Sequence, residues 1–276
     1  MNGSLIATIQ LDIAELVRAR WFLLYSLVFS AVVIALLGGG GADSRLLGFT
    51  GLSRSMVAYI QLAMAILPVF VLVSTVRSLV GDREAGVVEF MLSLPVPLAA
   101  WYWGRLAARF LAATLPVVLA VGAAALYGLA RFGAVPWGIM LAGIGLLVAL
   151  TWCFLGVAFL ISSLCRSADV ALGVALVTWL VLLVFMDLVL LGVMVREQVA
   201  TEVAVFVALA NPLQVFRTAA MLIFDPQLVL LGTSAWMILD VFGTAGYLLW
   251  AVVYPVILGT VAAAAGYWTF RRGDLV

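Results

Sequence analysis

The 276-residue sequence contains no lysine and no histidine, and all fourteen of its basic residues are arginine. Without lysine there is no Walker A phosphate grip and no Schiff base; without histidine there is no Ser/His or Cys/His couple and no His-ligated zinc. Any ATP chemistry associated with the chain must therefore come from a partner. Charge is scarce as well: 10% of residues are charged, 67% are hydrophobic and mean hydropathy is +1.28. A water-soluble domain is about half apolar and about a quarter charged, so a soluble globular chain is excluded and a polytopic membrane protein remains. The fourteen arginines face thirteen acids, for a net charge of +1. That balance leaves no basic excess to hold a phosphate backbone and excludes nucleic acid as a partner. Cysteine is limited to Cys153 and Cys165, twelve positions apart. On one helix that is about 18 Å of rise, too far for a disulfide, and the pair is silent on redox compartment.

What the chain has is apolar length. A hydrocarbon core about 30 Å thick needs about 20 apolar residues as helix, with backbone groups bonded inside their own segment. Six stretches meet that requirement, at 21–37, 56–76, 106–129, 137–160, 170–195 and 246–270, each flanked by Gly, Pro or charge. The expected fold is all-α, a single transmembrane domain over 1–276 with six membrane-spanning helices. A further run at 219–242 is broken by Asp225, Pro226 and Asp240, and reads as interfacial or re-entrant because a full span would bury two carboxylates.

Arginine placement sets the orientation, since positive loops stay cytoplasmic. With the N-terminus inside, Arg18, Arg20, Arg77, Arg83, Arg105, Arg109, Arg166, Arg271 and Arg272 lie at the cytoplasmic face. Arg45, Arg54, Arg131, Arg196 and Arg217 lie outside, and six spans return the C-terminus to the cytoplasm. In 1–20, Ile6, Ile9, Ile13, Leu16 and Val17 recur at helical spacing, with Gln10, Asp12, Glu15 and Arg18 elsewhere around the wheel. This is an amphipathic helix lying on membrane lipid. The stretch 21–37 exceeds a signal-peptide core of about 7–15 residues and reads as a retained span.

The densest charge lies at 81–97. Gly81 or Asp82 can cap a short helix over 83–92, with Val88, Met91 and Leu92 on one side, and Pro95 and Pro97 end it. Such a helix at the membrane surface suits the engagement of a soluble motor; it equally suits a solvated connector whose charges fix topology. Within the fifth stretch, Asp187 is a carboxylate in an apolar run. It belongs either to a translocation path or dimer seam, or to a wetted structural position near the outer surface. In 198–242, Asn211 and Pro212 read as N-cap and first helical residue, Leu213, Phe216 and Ala220 share a face beside Arg217, and Asp225 and Pro226 repeat the signal. Two short outer helices here would form a gate, a platform for an extracytoplasmic partner, or a plain re-entrant element. Methionines pair at Met56 and Met64 and at Met186 and Met194, but no Met-x-x-Met or Cys-x-x-Cys occurs, so no metal site is expected. Gly143, Gly145 and Gly156 permit close helix contact, and 38–41 is a flexible exit from the membrane.

The run Gly81, Asp82, Arg83, Glu84, Ala85, Gly86, Val87, Val88, Glu89, Phe90, Met91, Leu92, Ser93, Leu94, Pro95, followed by Gly104 and Arg105, resembles the loop after the second span of type-2 ABC transporter permeases. It departs from that pattern at Val87, where Thr is common, and at Arg105, where Lys is common; neither change removes the charge or the helix. The resemblance implies that Gly81, Asp82, Arg83, Glu84, Gly86, Val88, Glu89, Met91, Leu92 and Pro95 form a coupling element seated in a cytoplasmic ATPase dimer. It also implies that ATP and Mg are bound by that partner, with no catalytic residue, cofactor or metal on this chain.

The stretch Asn211, Pro212, Leu213, Gln214, Val215, Phe216, Arg217, with Asp187 shortly after Phe185, is similar to a narrower group of these permeases. That group helps mature the copper centres of nitrous oxide reductase. It implies a homodimer in the bacterial inner membrane and a periplasmic β-helix protein at the outer face. The alternatives are a generic exporter permease for lipid, drug or glycan, and a proton-coupled secondary transporter or membrane enzyme built on Asp187.

Overall fold

A computed structural model of the chain describes residues 6, 8–10, 12–13, 49–93, 96–132, 137–185, 188, 201–224 and 232–273. Among them every regular element is helical: α1 (Phe49–Glu84), α2 (Val87–Leu92), α3 (Leu98–Phe132), α4 (Trp137–Leu164), α5 (Ala168–Leu180), α6 (Thr201–Ala210), α7 (Pro212–Phe224) and α8 (Gly232–Gly273). A π turn, Val181–Phe185, continues α5. Ile6, Thr8, Ile9, Gln10, Asp12 and Ile13 are helical too, as their spacing requires.

Among the described residues three segments are long and apolar enough to cross a membrane: Leu62–Glu84, Met140–Leu164 and Gly243–Arg272. They fall on the expected stretches 56–76, 137–160 and 246–270. The stretch 106–129 lies inside α3, 170–195 begins with the shorter apolar helix Ala168–Val184, and 21–37 is outside the described residues. Pro68, Pro116 and Pro255 sit inside these helices without ending them. Neighbouring helices can bond the carbonyl that each proline frees, which is why membrane helices tolerate the residue.

α1, α4 and α8 run in one direction and α3 and α5 return, because the ends at Glu84, Leu164 and Gly273 meet the starts at Leu98 and Ala168. α4 is central and packs on α8, α1, α3 and α7. Its crossing with α8 is backbone on backbone: a Cβ on Gly156 would lie 2.0 Å from the Gly259 carbonyl oxygen, and one on Gly259 would lie 2.6 Å from that of Trp152. Hydrocarbon supplies no hydrophobic force between helices, so close approach and dispersion must do it. Gly156 therefore makes the contact its size permits, whereas Gly143 and Gly145 face open space.

α7 is not a one-sided surface helix. Leu213, Val215, Phe216, Ala219, Ala220, Met221 and Leu222 are all buried, against α4, α1 and α8. Leu213, Phe216 and Ala220 do share a buried face, but the opposite face is covered too. α8 is broken at Gly243, whose φ of 65° and ψ of 165° belong to a region that side chains disfavour. The expected broken segment 219–242 is thus helical to Phe224 and again from Gly232, and Gly243 turns it into the last long helix.

Candidate functional site at the charged end of the bundle

α1 does not stop at the expected boundary near residue 76; it continues to Glu84. The short helix expected over 83–92 is accordingly two pieces, the last turn of α1 and the separate α2. The physical reason is that the polar residues of this stretch find partners on neighbouring helices, so the helix has no need to unwind where its hydrophobic pattern ends. Gly86 ends it, with φ at 70°, a left-handed conformation suited to glycine after a helix C-terminus. Around that turn Ala85 N–H donates to the Gly81 carbonyl at 2.9 Å and Gly86 N–H to that of Arg83 at 3.1 Å. Ser93 closes α2 by donating its hydroxyl to the Phe90 carbonyl at 2.6 Å.

The three charged residues at the end of α1 each reach a different part of the bundle. Asp82 forms an ion pair with Arg105 of α3. Arg83 donates Nη1 to the Ser163 carbonyl of α4 at 3.2 Å, and its guanidinium lies 4.6 Å from the centre of the Phe270 ring of α8. Glu84 Oε1 accepts from the backbone N–H of Ala168, the first residue of α5, at 3.2 Å. One turn earlier, the Ser162 hydroxyl of α4 accepts from the backbone N–H groups of Leu79 and Val80 at 3.2 and 3.1 Å. Arg109 of α3 donates to the Ser74 carbonyl at 2.6 Å. α1 therefore ends in a node joined to α3, α4, α5 and α8.

Arg105 is the centre of that node. Beyond Asp82, it donates Nε to Asp12 Oδ2 at 3.1 Å and Nη1 to the Ser78 carbonyl at 3.3 Å, and it lies 4.9 Å from the Trp101 ring. The Arg105 and Asp12 side chains are 12% and 10% exposed. Charges so enclosed persist only when paired, because removing one strands the other out of water. Asp12, which sequence spacing assigns to the polar side of the N-terminal helix, thus points into the bundle rather than to solvent. By contrast Arg77 and Asp169 pair at 2.9 Å with their side chains 53% and 91% exposed. Water and salt screen such a pair to less than about 1 kcal/mol.

α2 packs against α1 and buries Val88, while it leaves Phe90 64% exposed beside exposed Ala85, Gly86 and Ser93. The turn at Ala85 and Gly86 joins this exposed ring to the end of α1, which is bonded to four other helices.

Of the expected coupling residues, Gly81, Asp82, Arg83, Glu84, Gly86 and Val88 are gathered here. Only the backbones of Glu89, Met91 and Leu92 are described, and Pro95, Asp187 and Asp225 lie outside the described residues. Asn211, Pro212 and Phe216 are elsewhere, buried where α6 meets α7, with Arg217 half-buried. Spacing alone does not mark Arg105 as the partner of Asp12 and Asp82, nor does it single out Phe90, Ser162, Ser163 or Phe270. One signal was present: Arg105 and Arg109 stand four apart at the start of an apolar helix, where two charges on one face ask for partners.

The chain matches the family model described as ABC-2 family transporter protein over residues 6–275. It is 27% identical over 212 residues to the "Probable ABC transporter permease protein NosY" of Stutzerimonas stutzeri, covering 75% of this chain and 77% of that protein. The protein of the same description from Pseudomonas aeruginosa is 27% identical over 220 residues, covering 78% of this chain and 80% of its own length.

Proposed function

The chain belongs to the ABC-2 family of transporter proteins and is a membrane permease, and from that premise we propose that α2 is the surface on which a cytoplasmic ATPase dimer pushes. The observation that carries this is exposed Phe90 on a helix hinged to the node of Asp82, Arg83 and Glu84. ATP and Mg are bound by the ATPase and not by this chain, which is a transport subunit. The charged end is the cytoplasmic one, a reading supported by Arg77, Arg83, Arg105, Arg109, Arg166, Arg271 and Arg272 at the ends that meet there. Both termini are cytoplasmic and the membrane is the bacterial inner membrane.

In this mechanism closure of the ATPase loads Phe90, and the last turn of α1 moves as one body with the ends of α3, α4, α5 and α8. Arg105 carries the motion to the N-terminal helix through Asp12. Two copies of the permease face each other, and the buried α7 region changes at the far end. The likeness to the two NosY permeases supports the narrower reading: copper-site maturation of nitrous oxide reductase, with a periplasmic β-helix protein on the outer face.

The test is purification from native membrane in mild detergent followed by mass spectrometry. Recovery of an ATPase, lost on Phe90→Asp while the variant stays monodisperse, supports the coupling role. Recovery of a β-helix protein as well supports copper maturation, and an ATPase alone favours a generic exporter of lipid, drug or glycan. Wild-type chain that retains no ATPase overturns the proposal.

A further inference from the structure

Far from the charged end, α5 changes geometry: the turn Val181–Phe185 is π-helical, its backbone hydrogen bonds reaching one residue further along the chain than those of the α-helix before it. Where a π turn rejoins α geometry, a backbone carbonyl is left without its helical donor. At membrane depth no water replaces it. In this chain the Leu182 carbonyl, inside the π turn, accepts the side-chain N–H of Asn211 at 2.7 Å. The other end of the same amide, Oδ1, accepts from Leu213 N–H at 2.9 Å and caps α7. Asn211 is 3% exposed. Tyr254 of α8 donates its hydroxyl to the carbonyl of Ala210, the preceding residue.

The residue type is demanding. An ionised aspartate would cap α7 but has no donor for Leu182 and would bury a charge, and serine would cap but is too short to do both. One buried amide thus ties the α6–α7 junction to the π turn, and Tyr254 ties that junction to the last long helix. Tyr254 stands eleven residues from the Gly243 end of its span, about 16 Å along the axis. This junction is therefore inside the membrane-spanning part of the fold.

We propose that the π turn at Val181–Phe185 is a two-state joint and that Asn211 is the positioning residue that holds it in the wide form. Conversion to α geometry moves everything after the turn by one residue of register, a rotation of about 100°. Leu188, 58% exposed in the wide form, is carried round with it, while Val177, before the turn and 60% exposed, stays in place. The inference goes beyond the coupling role and does not depend on an ATPase.

The test uses spin labels at Leu188→Cys and, separately, Val177→Cys, in a chain carrying Cys153→Ala and Cys165→Ala, reconstituted in lipid. Asn211→Ser removes the donor to Leu182 and keeps the cap. Expected is a change of mobility and oxygen accessibility at 188 with none at 177. No change at either position overturns the proposal, and so does an equal change at both, which would mark a general loosening. Should Asn211→Ser alone fail to fold, deletion of Val184 removes the extra residue of the π turn. In that background Asn211→Ser is expected to lower the unfolding midpoint less than it does in the full-length chain, because the carbonyl it serves has regained its backbone donor. An equal loss in both backgrounds overturns the proposal.

Discussion

Where α4 meets α8 at Gly156 and Gly259 the two backbones touch, whereas further along, at Ser163 and Phe270, the same two helices are joined through the long side chain of Arg83. The first contact depends on the absence of side chains and has one geometry. The second depends on side chains with several rotamers and several acceptors, and can be remade as the ends shift. The close packing of α8 on α4 continues at Gly266, where a Cβ would lie 3.1 Å from the Leu160 Cα, so the Arg83 bonds at the charged end act beside a direct helix contact. The end is also where charge sits near water, so remaking a bond there strands a group less severely than at membrane depth.

Breaking the glycine crossing should have the largest effect. Gly156→Leu must push apart backbones with no space between them, and we expect a loss of at least about 3 kcal/mol, read as collapse of the monodisperse yield in detergent. Next is the node: Arg105→Leu strands Asp12 and Asp82 together and should lower stability by about 3 kcal/mol, measured as the unfolding midpoint. Arg105→Leu combined with Asp12→Asn and Asp82→Asn should recover a large part of that loss. No recovery would mean that the side chain matters as packing on Trp101 rather than as charge. Tyr102→Phe removes one donor from the buried Ala263 carbonyl and should cost about 1 kcal/mol. Arg77→Ala, at the exposed pair with Asp169, should change the midpoint least, by under about 1 kcal/mol, and the difference should vanish in high salt. An Arg77 effect as large as that of Arg105 would erase the distinction between enclosed and exposed pairs.

Much of the architecture was legible because apolar length is a local sum. The stretches 56–76, 137–160 and 246–270 each fall on a long apolar helix, and Asn211 with Pro212 marks the start of α7 as capping chemistry requires. Gly86 sits at the turn where only a change of backbone hand lets the chain leave α1. Other features were illegible for a common reason. α1 runs on to Glu84 because Ser162, Ser163 and Ala168, all far along the chain, supply the bonds that keep its polar end helical. Asp12 looked like a solvated charge because its partner is on another helix. α7 looked one-sided because periodicity reports where apolar residues recur and not how many helices surround them.

The sequence by itself determined that the chain is a helical membrane protein and, in lacking lysine and histidine, that it carries no Walker A lysine and no catalytic histidine. The tertiary structure alone decided which charge meets which. It set Arg105 between Asp12 and Asp82, distributed Asp82, Arg83 and Glu84 to four helices, and gave both ends of the Asn211 amide a partner. Transfer into the membrane depends on composition summed over about 20 neighbouring residues. A hydrogen bond depends on a fraction of an ångström between atoms whose distance along the chain carries no information.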